Sequence, residues 1–195
     1  MKKIIKKVYI IHGWGESPNS YWHPWLAQEL KNKGFRVVVP EMPEADNPQI
    51  EKWVAHLSQI IQSADEKTFF VGHSIGCQAI LRYLETLKDT KIGGVVCIAG
   101  WFNLMNLDKE EVEIAEPWLK TLINFPKIRE VLQNKLIVIL SDNDPYNCLE
   151  ENKIIFKSQL NTDAIVEKNR GHLTGEDGSN QLPEALEAIL RISGS

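Results

Sequence analysis

The 195-residue sequence has few cysteines, no long apolar runs and no excess of positive charge. Its three cysteines, Cys77, Cys97 and Cys148, are odd in number and lack the spacing of metal ligands, which indicates free thiols in a reducing compartment. No stretch approaches the roughly 18 apolar residues of a membrane span, and the apolar run after the lysine-rich start ends at His12. A net charge of −4 gives no basic surface for nucleic acid. We therefore expect a cytoplasmic protein that binds neither membranes nor nucleic acid.

What is present is typical of one folded domain. The sequence is 43% hydrophobic and 25% charged, which are ordinary values for a globular protein. Its length suits a single domain over residues 1–195 with a sizeable core.

Short, continuously apolar segments alternate with amphipathic ones along the chain. The predicted strands cover residues 7–11, 35–39, a segment starting at 68, 93–99, 136–140 and 164–167. The predicted helices run up to Gly34, over 49–63, from 75 to about 88, and over 183–192. Strands that are apolar throughout and alternate with helices predict an α/β fold, with a mostly parallel six-stranded sheet and helices on both faces. Reactive groups should then collect after the carboxyl ends of the strands.

Residues 101–134 are too long for a simple crossover between two strands. The segment is rich in apolar residues and is interrupted at Pro117 and Pro126. We interpret it as a small cap insertion of two short helices over the strand ends. The alternative is a long surface crossover.

The sequence Gly72-His73-Ser74-Ile75-Gly76 joins a β-branched and aromatic run to a helix-prone run. A Gly-x-Ser-x-Gly turn between a strand and a helix is typical of a nucleophile elbow, in which a strained turn exposes the serine hydroxyl. The alternative is a serine between glycines in an ordinary strand-to-helix loop.

A nucleophilic serine needs a histidine base and an orienting carboxylate. Ser74 is followed by Asp144, after the strand that ends at Leu140, and then by His172, after the last strand. This order and placement predict a Ser-Asp-His triad. Alternatives remain open: Asp142 could be the orienting acid, Asp144 could cap the next helix, and His172 could be a surface histidine.

The other four histidines need a separate interpretation. We expect His12 to shape the turn after the first strand by hydrogen bonding, and His73 to be a packing residue that points away from Ser74. His23 and His56 lie on predicted helices without paired ligands. Since no pair has zinc-type spacing, we expect neither a metal nor a cofactor.

The oxyanion of a tetrahedral intermediate needs two N–H donors. The backbone groups of Ile75, directly after the nucleophile, and of Trp14, in the first glycine-rich turn, are the predicted donors. Trp14, Trp101, Phe102 and Trp118 are the candidates for lining the acyl pocket, and core packing is the alternative for each aromatic.

Several of these motifs together resemble a known family. The segments are 8–13, the loop around Met42 and Pro43, 72–76, 141–145, 171–172 and Pro117-Trp118. As a set they look like the small serine hydrolases of the YdeN and retinoblastoma-binding protein nine type. The resemblance implies a compact α/β-hydrolase fold without the first two strands of the full fold. It also implies a Ser74–Asp144–His172 triad and small acyl or aminoacyl substrates.

One relative in that family is associated with retinoblastoma protein through a Leu-x-Cys-x-Glu motif. Here the corresponding segment begins with Tyr146 and continues to Cys148 and Glu150, so no such protein partner is expected. The sequence therefore predicts a serine hydrolase that cleaves small esters or amides through an acyl-enzyme. The alternative is a non-catalytic protein-binding module on the same scaffold.

Overall fold

The computed structural model describes residues 5–195, so the first four residues of the lysine-rich start lie outside it. Within this range the chain forms six strands and seven helices. The strands are β1 (Lys7–Ile11), β2 (Arg36–Val38), β3 (Thr68–His73), β4 (Gly94–Ile98), β5 (Leu136–Ser141) and β6 (Ala164–Glu167). The helices are α1 (His23–Asn32), α2 (Ile50–Ile60), α3 (Ile75–Thr86), α4 (Lys109–Lys120), α5 (Phe125–Leu132), α6 (Leu149–Leu160) and α7 (Pro183–Ser193).

The strands form one sheet in the order β2-β1-β3-β4-β5-β6, and every pair of neighbours is parallel. The predicted α/β fold with a six-stranded sheet is confirmed. The register places Ile11 beside Gly72, and His73 beside Ile98. The chain segments that follow β1, β3, β4, β5 and β6 consequently leave the sheet along the same edge.

Both faces of the sheet are covered by helices. One buried cluster contains residues of β3 with α2, α3, α5 and α6, and the other contains residues of β1 with α1 and α7. The central strands β3 and β4 are buried at every position, which accounts for their unbroken apolar sequences. A sheet buried on both faces leaves its carboxyl edge as the place for a site.

The predicted cap segment contains the helices α4 and α5. Helix α5 packs against α3 and α6. Pro117 does not break a helix as expected but lies inside α4. Proline there removes the bond to the carbonyl of Glu113, and because this stretch is exposed, water can satisfy that carbonyl. Pro126 does mark a helix start, because it occupies the first turn of α5.

No helix in residues 5–195 combines the length and the apolar character that crossing a bilayer requires.

Candidate active site

The turn between β3 and α3 has the geometry of a nucleophile elbow. Ser74 has φ 51° and ψ −121°, a conformation that residues other than glycine seldom adopt. Its N–H bonds to the carbonyl of Ile98 at 2.9 Å, and its own carbonyl accepts the N–H of Cys77 at 3.0 Å. These bonds hold the strained residue at the carboxyl edge of the sheet.

The two glycines of the elbow are required by close backbone contacts. A Cβ at Gly72 would lie 2.7 Å from the backbone nitrogen of Cys77. A Cβ at Gly76 would lie 2.5 Å from the carbonyl oxygen of Ile11. Because both neighbours are backbone atoms that cannot rotate away, α3 can start this close to β1 only with glycine at both positions.

Four consecutive side chains, from the last residue of β5 onwards, hold the loop before α7. Ser141, Asp142 and Asn143 accept the backbone N–H groups of three successive residues at 2.8 to 3.0 Å, which are Arg170, Asn169 and Gly171 respectively. Asp144, the fourth, bonds the imidazole of His172 instead. The acidic turn thereby fixes both the course of the loop and the position of its histidine.

Asp144 and His172 are in direct contact, whereas Asp142 is not at the histidine. Asp144 Oδ2 lies 2.7 Å from His172 Nδ1, and its Oδ1 accepts the N–H of Tyr146 at 3.0 Å. The side chain of Asp142 instead accepts the backbone N–H of Asn169. Asp144 does not cap α6, whose N-cap residue is Cys148. A carboxylate in this place holds Nδ1 protonated and leaves Nε2 as the basic nitrogen.

Ser74 and His172 line the same cavity, and Trp101 bonds the serine. The indole Nε1 of Trp101 donates to Ser74 Oγ at 3.2 Å. Among residues 5–195, no hydrogen bond joins Ser74 Oγ to His172. Bonds of this kind in ligand-free enzymes are commonly long and tighten when substrate binds.

The two predicted oxyanion donors lie beside the elbow. Ile75 is the first residue of α3, so its N–H has no acceptor inside the helix. In the described part of the chain the N–H of Trp14 makes no hydrogen bond either, although its neighbours do: Gly13 donates to Glu16, and Gly15 donates to Ala45. Both groups are available for a ligand.

A cavity of about 410 Å³ opens over Ser74 and His172. Trp14 and Trp101 line it, together with Tyr21, Leu104, Leu107, Glu111, Tyr146, Glu176 and Asp177. The prediction that Phe102 and Trp118 line it is wrong. Phe102 packs on the rings of Phe125 and Phe156, and Trp118 packs on Trp53 with its Nε1 donating to the carbonyl of Pro48. Both belong to the core because α5, α6 and α2 cover them.

His12 behaves as expected, and His73 has polar contacts beyond the packing that was expected. His12 Nδ1 bonds the Gly13 carbonyl at 2.8 Å and Nε2 accepts the Met42 N–H at 3.0 Å, which shapes the turn after β1. The ring of His73 packs against the rings of Trp22 and His23 as expected, but it also makes two polar contacts. Its Nδ1 lies 2.6 Å from Glu16 Oε1, and its Nε2 lies 2.9 Å from the carbonyl oxygen of His172.

Glu16 is a functional candidate that sequence reasoning missed. It is 8% exposed, and its Oε2 accepts the Gly13 N–H at 2.7 Å. The available signal was His73 itself, because a histidine in a fully buried strand requires polar partners. Glu16, in a turn that adjoins the same sheet edge, was a carboxylate able to supply one.

The charges of this buried pair reinforce one another. Burial alone would raise the pKa of Glu16, but the charge and the hydrogen bond of His73 lower it to about 2. Burial alone would lower the pKa of His73, but Glu16 and the His172 carbonyl outweigh burial and raise it. His23, whose ring nitrogens have no hydrogen-bond partner among the described residues, has its pKa lowered by burial to about 3.

Glu16, His23 and His73 are also of the residue types that bind metals. One potential ligand atom from each lies within 4.8 Å of the others. The 2.6 Å separation of Glu16 Oε1 and His73 Nδ1 is that of a charge-assisted hydrogen bond. An ion coordinated by both would need about 2.0–2.2 Å on each side and would have to displace the shared proton. The contacts therefore fit an ion pair better than a metal centre.

This chain is similar in sequence to known serine hydrolases. A family profile described as serine hydrolase matches residues 8–191. The chain is 28% identical over 189 residues to YdeN of Bacillus subtilis, a protein named as a hydrolase, with 95% of each chain covered. It is 24% identical over 184 residues to the serine hydrolase RBBP9 of Rattus norvegicus, covering 92% of this chain and 91% of that one.

Solved structures agree on the fold. The crystal structure of the B. subtilis YdeN protein superposes with a TM-score of 0.88 and 27% identity, covering 97% of this chain and all of that one. A Xanthomonas campestris protein described as belonging to the alpha/beta hydrolase superfamily has a TM-score of 0.65 at 12% identity, with 97% of each chain covered. The resemblance inferred from the motifs is confirmed: this chain belongs to the serine hydrolase family.

Proposed function

We propose that the protein hydrolyses small esters or amides through an acyl-enzyme, with Ser74 as nucleophile, His172 as base and Asp144 as orienting acid. One observation carries the proposal: a strained serine and a carboxylate-bound histidine line the same cavity, beside two free backbone N–H groups.

The reaction follows from the roles of these groups. Ser74 Oγ attacks the substrate carbonyl carbon while His172 Nε2 takes its proton, and the Asp144 carboxylate stabilises the imidazolium. The N–H groups of Trp14 and Ile75 bind the oxyanion. The tetrahedral intermediate collapses as His172 gives the proton to the leaving alcohol or amine. Water then releases the acid by the same steps.

Trp101 contributes a further donor at the nucleophile. Its N–H already bonds Ser74 Oγ, so the serine hydrogen is free to point towards His172. A donor to Oγ also favours the oxygen as negative charge develops on it.

The lining of the cavity suggests the class of substrate. Aromatic residues contribute much of the wall, and the acids that line it are Glu16, Glu111, Glu176 and Asp177. Among residues 5–195, no lysine or arginine lines it. An acidic and aromatic lining favours neutral or amine-bearing acyl groups, aminoacyl groups included, over carboxylates and phosphates. A volume of about 410 Å³ suits small substrates.

We also place the enzyme in the cytoplasm. Cys77, Cys97 and Cys148 are free thiols, and free thiols persist in reducing compartments.

The test is labelling by a fluorophosphonate probe, with mass spectrometry locating the adduct. We expect wild type to be modified on Ser74 and the variant Ser74→Ala to lose the label. We also expect this variant to lose at least about 10⁴-fold of kcat/KM on an ester and aminoacyl-amide panel while keeping its circular dichroism spectrum. A folded wild type that resists labelling would contradict the proposal and favour the non-catalytic binding module.

A further inference from the structure

The contacts of Glu16 and His73 connect the turn that contains Trp14 to the backbone of His172. The Gly13 N–H donates to Glu16 Oε2 at 2.7 Å, Glu16 Oε1 meets His73 Nδ1 at 2.6 Å, and His73 Nε2 meets the His172 carbonyl at 2.9 Å. The chain of bonds therefore runs from the turn of one proposed oxyanion donor, through the strand of the nucleophile, to the backbone of the proposed base.

Both ring nitrogens of His73 must carry a proton in this arrangement. A backbone carbonyl can only accept, and the ionised Glu16 carboxylate can only accept. An imidazole that donates from both nitrogens is an imidazolium. Since His73 is fully buried, its two ring nitrogens have protein groups and not bulk water as partners.

The turn is built around the carboxylate. A Cβ on Gly13 would lie 2.6 Å from Glu16 Oε1, so the side chain of Glu16 fills the space against the backbone of the turn. Trp14, whose N–H is a proposed oxyanion donor, is the residue directly after Gly13. Moving Glu16 would change the direction of that N–H.

The loop of His172 has a strained backbone that needs such support. Gly171 and Leu173 have φ 53° and 59°, and a left-handed leucine is stable only when its surroundings impose it. His73 holds the carbonyl of His172, and Trp22 Nε1 donates to the carbonyl of Leu173 at 3.0 Å. The backbone around the base is thus held from inside the protein.

We infer that Glu16 and His73 are positioning residues: their buried ion pair sets the turn of the Trp14 oxyanion donor and the backbone of His172 relative to Ser74. This inference rests on the proposed function, because it assigns a purpose to the placement of those groups. Neither residue touches the reacting atoms.

Three variants test the inference by steady-state kinetics on the best substrate of the panel. Glu16→Ala removes the acceptor of both bonds, and we expect kcat to fall about 100-fold with KM changed less than about threefold. Glu16→Gln can still accept the Gly13 N–H and can donate its amide N–H to a neutral His73, so we expect kcat within about tenfold of wild type. Glu66→Ala, at an exposed position before β3, is the matched control and should equal wild type.

A spectroscopic readout distinguishes positioning from general stability. With ¹⁵N-labelled histidine, both ring nitrogens of His73 should carry protons in wild type at pH 7.5, and one in Glu16→Gln. The titratable groups around His73 that could change this state are His12, Glu16, Tyr21, His23, Asp144 and His172. A bare ring nitrogen on His73 in wild type would overturn the inference, and this measurement needs no variant to fold.

The labelling rate of Ser74 separates the two proposals. A folded wild type without labelling defeats the proposed function, while the state of His73 still reports the ion pair. Labelling of wild type and of folded Glu16→Ala at equal rates defeats the positioning role and leaves the hydrolase intact. Slower labelling in Glu16→Ala, restored in Glu16→Gln, supports both.

Discussion

Two carboxylate–imidazole pairs lie side by side near Ser74, with the rings of His73 and His172 5.2 Å apart, and they differ in what the second imidazole nitrogen meets. Asp144 Oδ2 and His172 Nδ1 are 2.7 Å apart, and Glu16 Oε1 and His73 Nδ1 are 2.6 Å apart. The side chain of His172 is 14% exposed and lines the cavity, whereas His73 is fully buried and its second nitrogen meets a backbone carbonyl. The Asp144–His172 pair is therefore suited to accepting a proton from a group in the cavity, and the Glu16–His73 pair is suited to holding the backbone in place.

The largest effect that would sharpen this contrast comes from Asp144→Asn. An amide in place of the carboxylate can donate to Nδ1, which favours the wrong tautomer of His172. We expect kcat/KM to fall about 10³- to 10⁴-fold.

The matched variant is Asp142→Asn, two residues away in the same turn. Its side chain bonds only the Asn169 N–H, and an amide oxygen can keep that bond, so we expect less than about a tenfold loss. Equal losses in the two variants, measured on the same substrate, would contradict the assignment of Asp144.

The pH dependence of the reaction compares the two histidines directly. A protonated His172 cannot take the proton of Ser74, so we expect kcat/KM, followed from pH 8 down to the onset of acid unfolding, to fall about tenfold per pH unit once this imidazole is charged. His73 should not produce this limb. Its pKa is raised, so below its ordinary pKa it is already protonated, and the Glu16 pKa of about 2 lies outside the range.

A flat profile of kcat/KM over this whole span would exclude His172 as the base. The measurement should use an ester whose leaving group does not itself titrate in this range.

The smallest expected effect concerns His23, the third member of the buried group, whose ring nitrogens have no hydrogen-bond partner within residues 5–195. Its pKa is lowered by burial to about 3. Between about pH 6.5 and 3, His23 therefore binds a proton in the unfolded chain but not in the folded protein. The free energy of unfolding therefore decreases as the pH is lowered across this window. We expect His23→Leu to remove that loss, worth about 1–2 kcal/mol at pH 5.

Urea unfolding at pH 5 and pH 7.5 measures this difference. Wild type should lose more stability than His23→Leu on acidification. The same loss in both proteins would show that His23 is not a buried neutral histidine.

Most of the architecture could be predicted from the sequence because the strands β3, β4 and β5 are buried at every position and so are continuously apolar. Helix α6 was missed because its inward side includes Asn152, which bonds the N–H groups of Phe102 and Asn103, while Ile154 on the same helix is 64% exposed. Its sequence therefore shows no clear apolar face.

The site was predictable where chain order and strand ends gave the information. Ser74, Asp144 and His172 each follow a strand at one edge of a parallel sheet. Side-chain direction is not encoded in that way, which is why Phe102 and Trp118 were misplaced.

The sequence indicates that His73 needs a polar partner, but it does not identify Glu16 as that partner, for a related reason. The two residues are 57 positions apart, and only the folded sheet edge brings a turn carboxylate to a strand histidine.

The hydrogen bond from His73 to the carbonyl of residue 172 has a consequence for redesign. Every amino acid supplies that carbonyl, so the support acts on the chain whatever side chain the position carries. Position 172 can accordingly be randomised, or left small to admit an added base, with this anchor on the loop retained. Laboratory evolution of new chemistry on this scaffold can vary the base while keeping residues 16 and 73 constant.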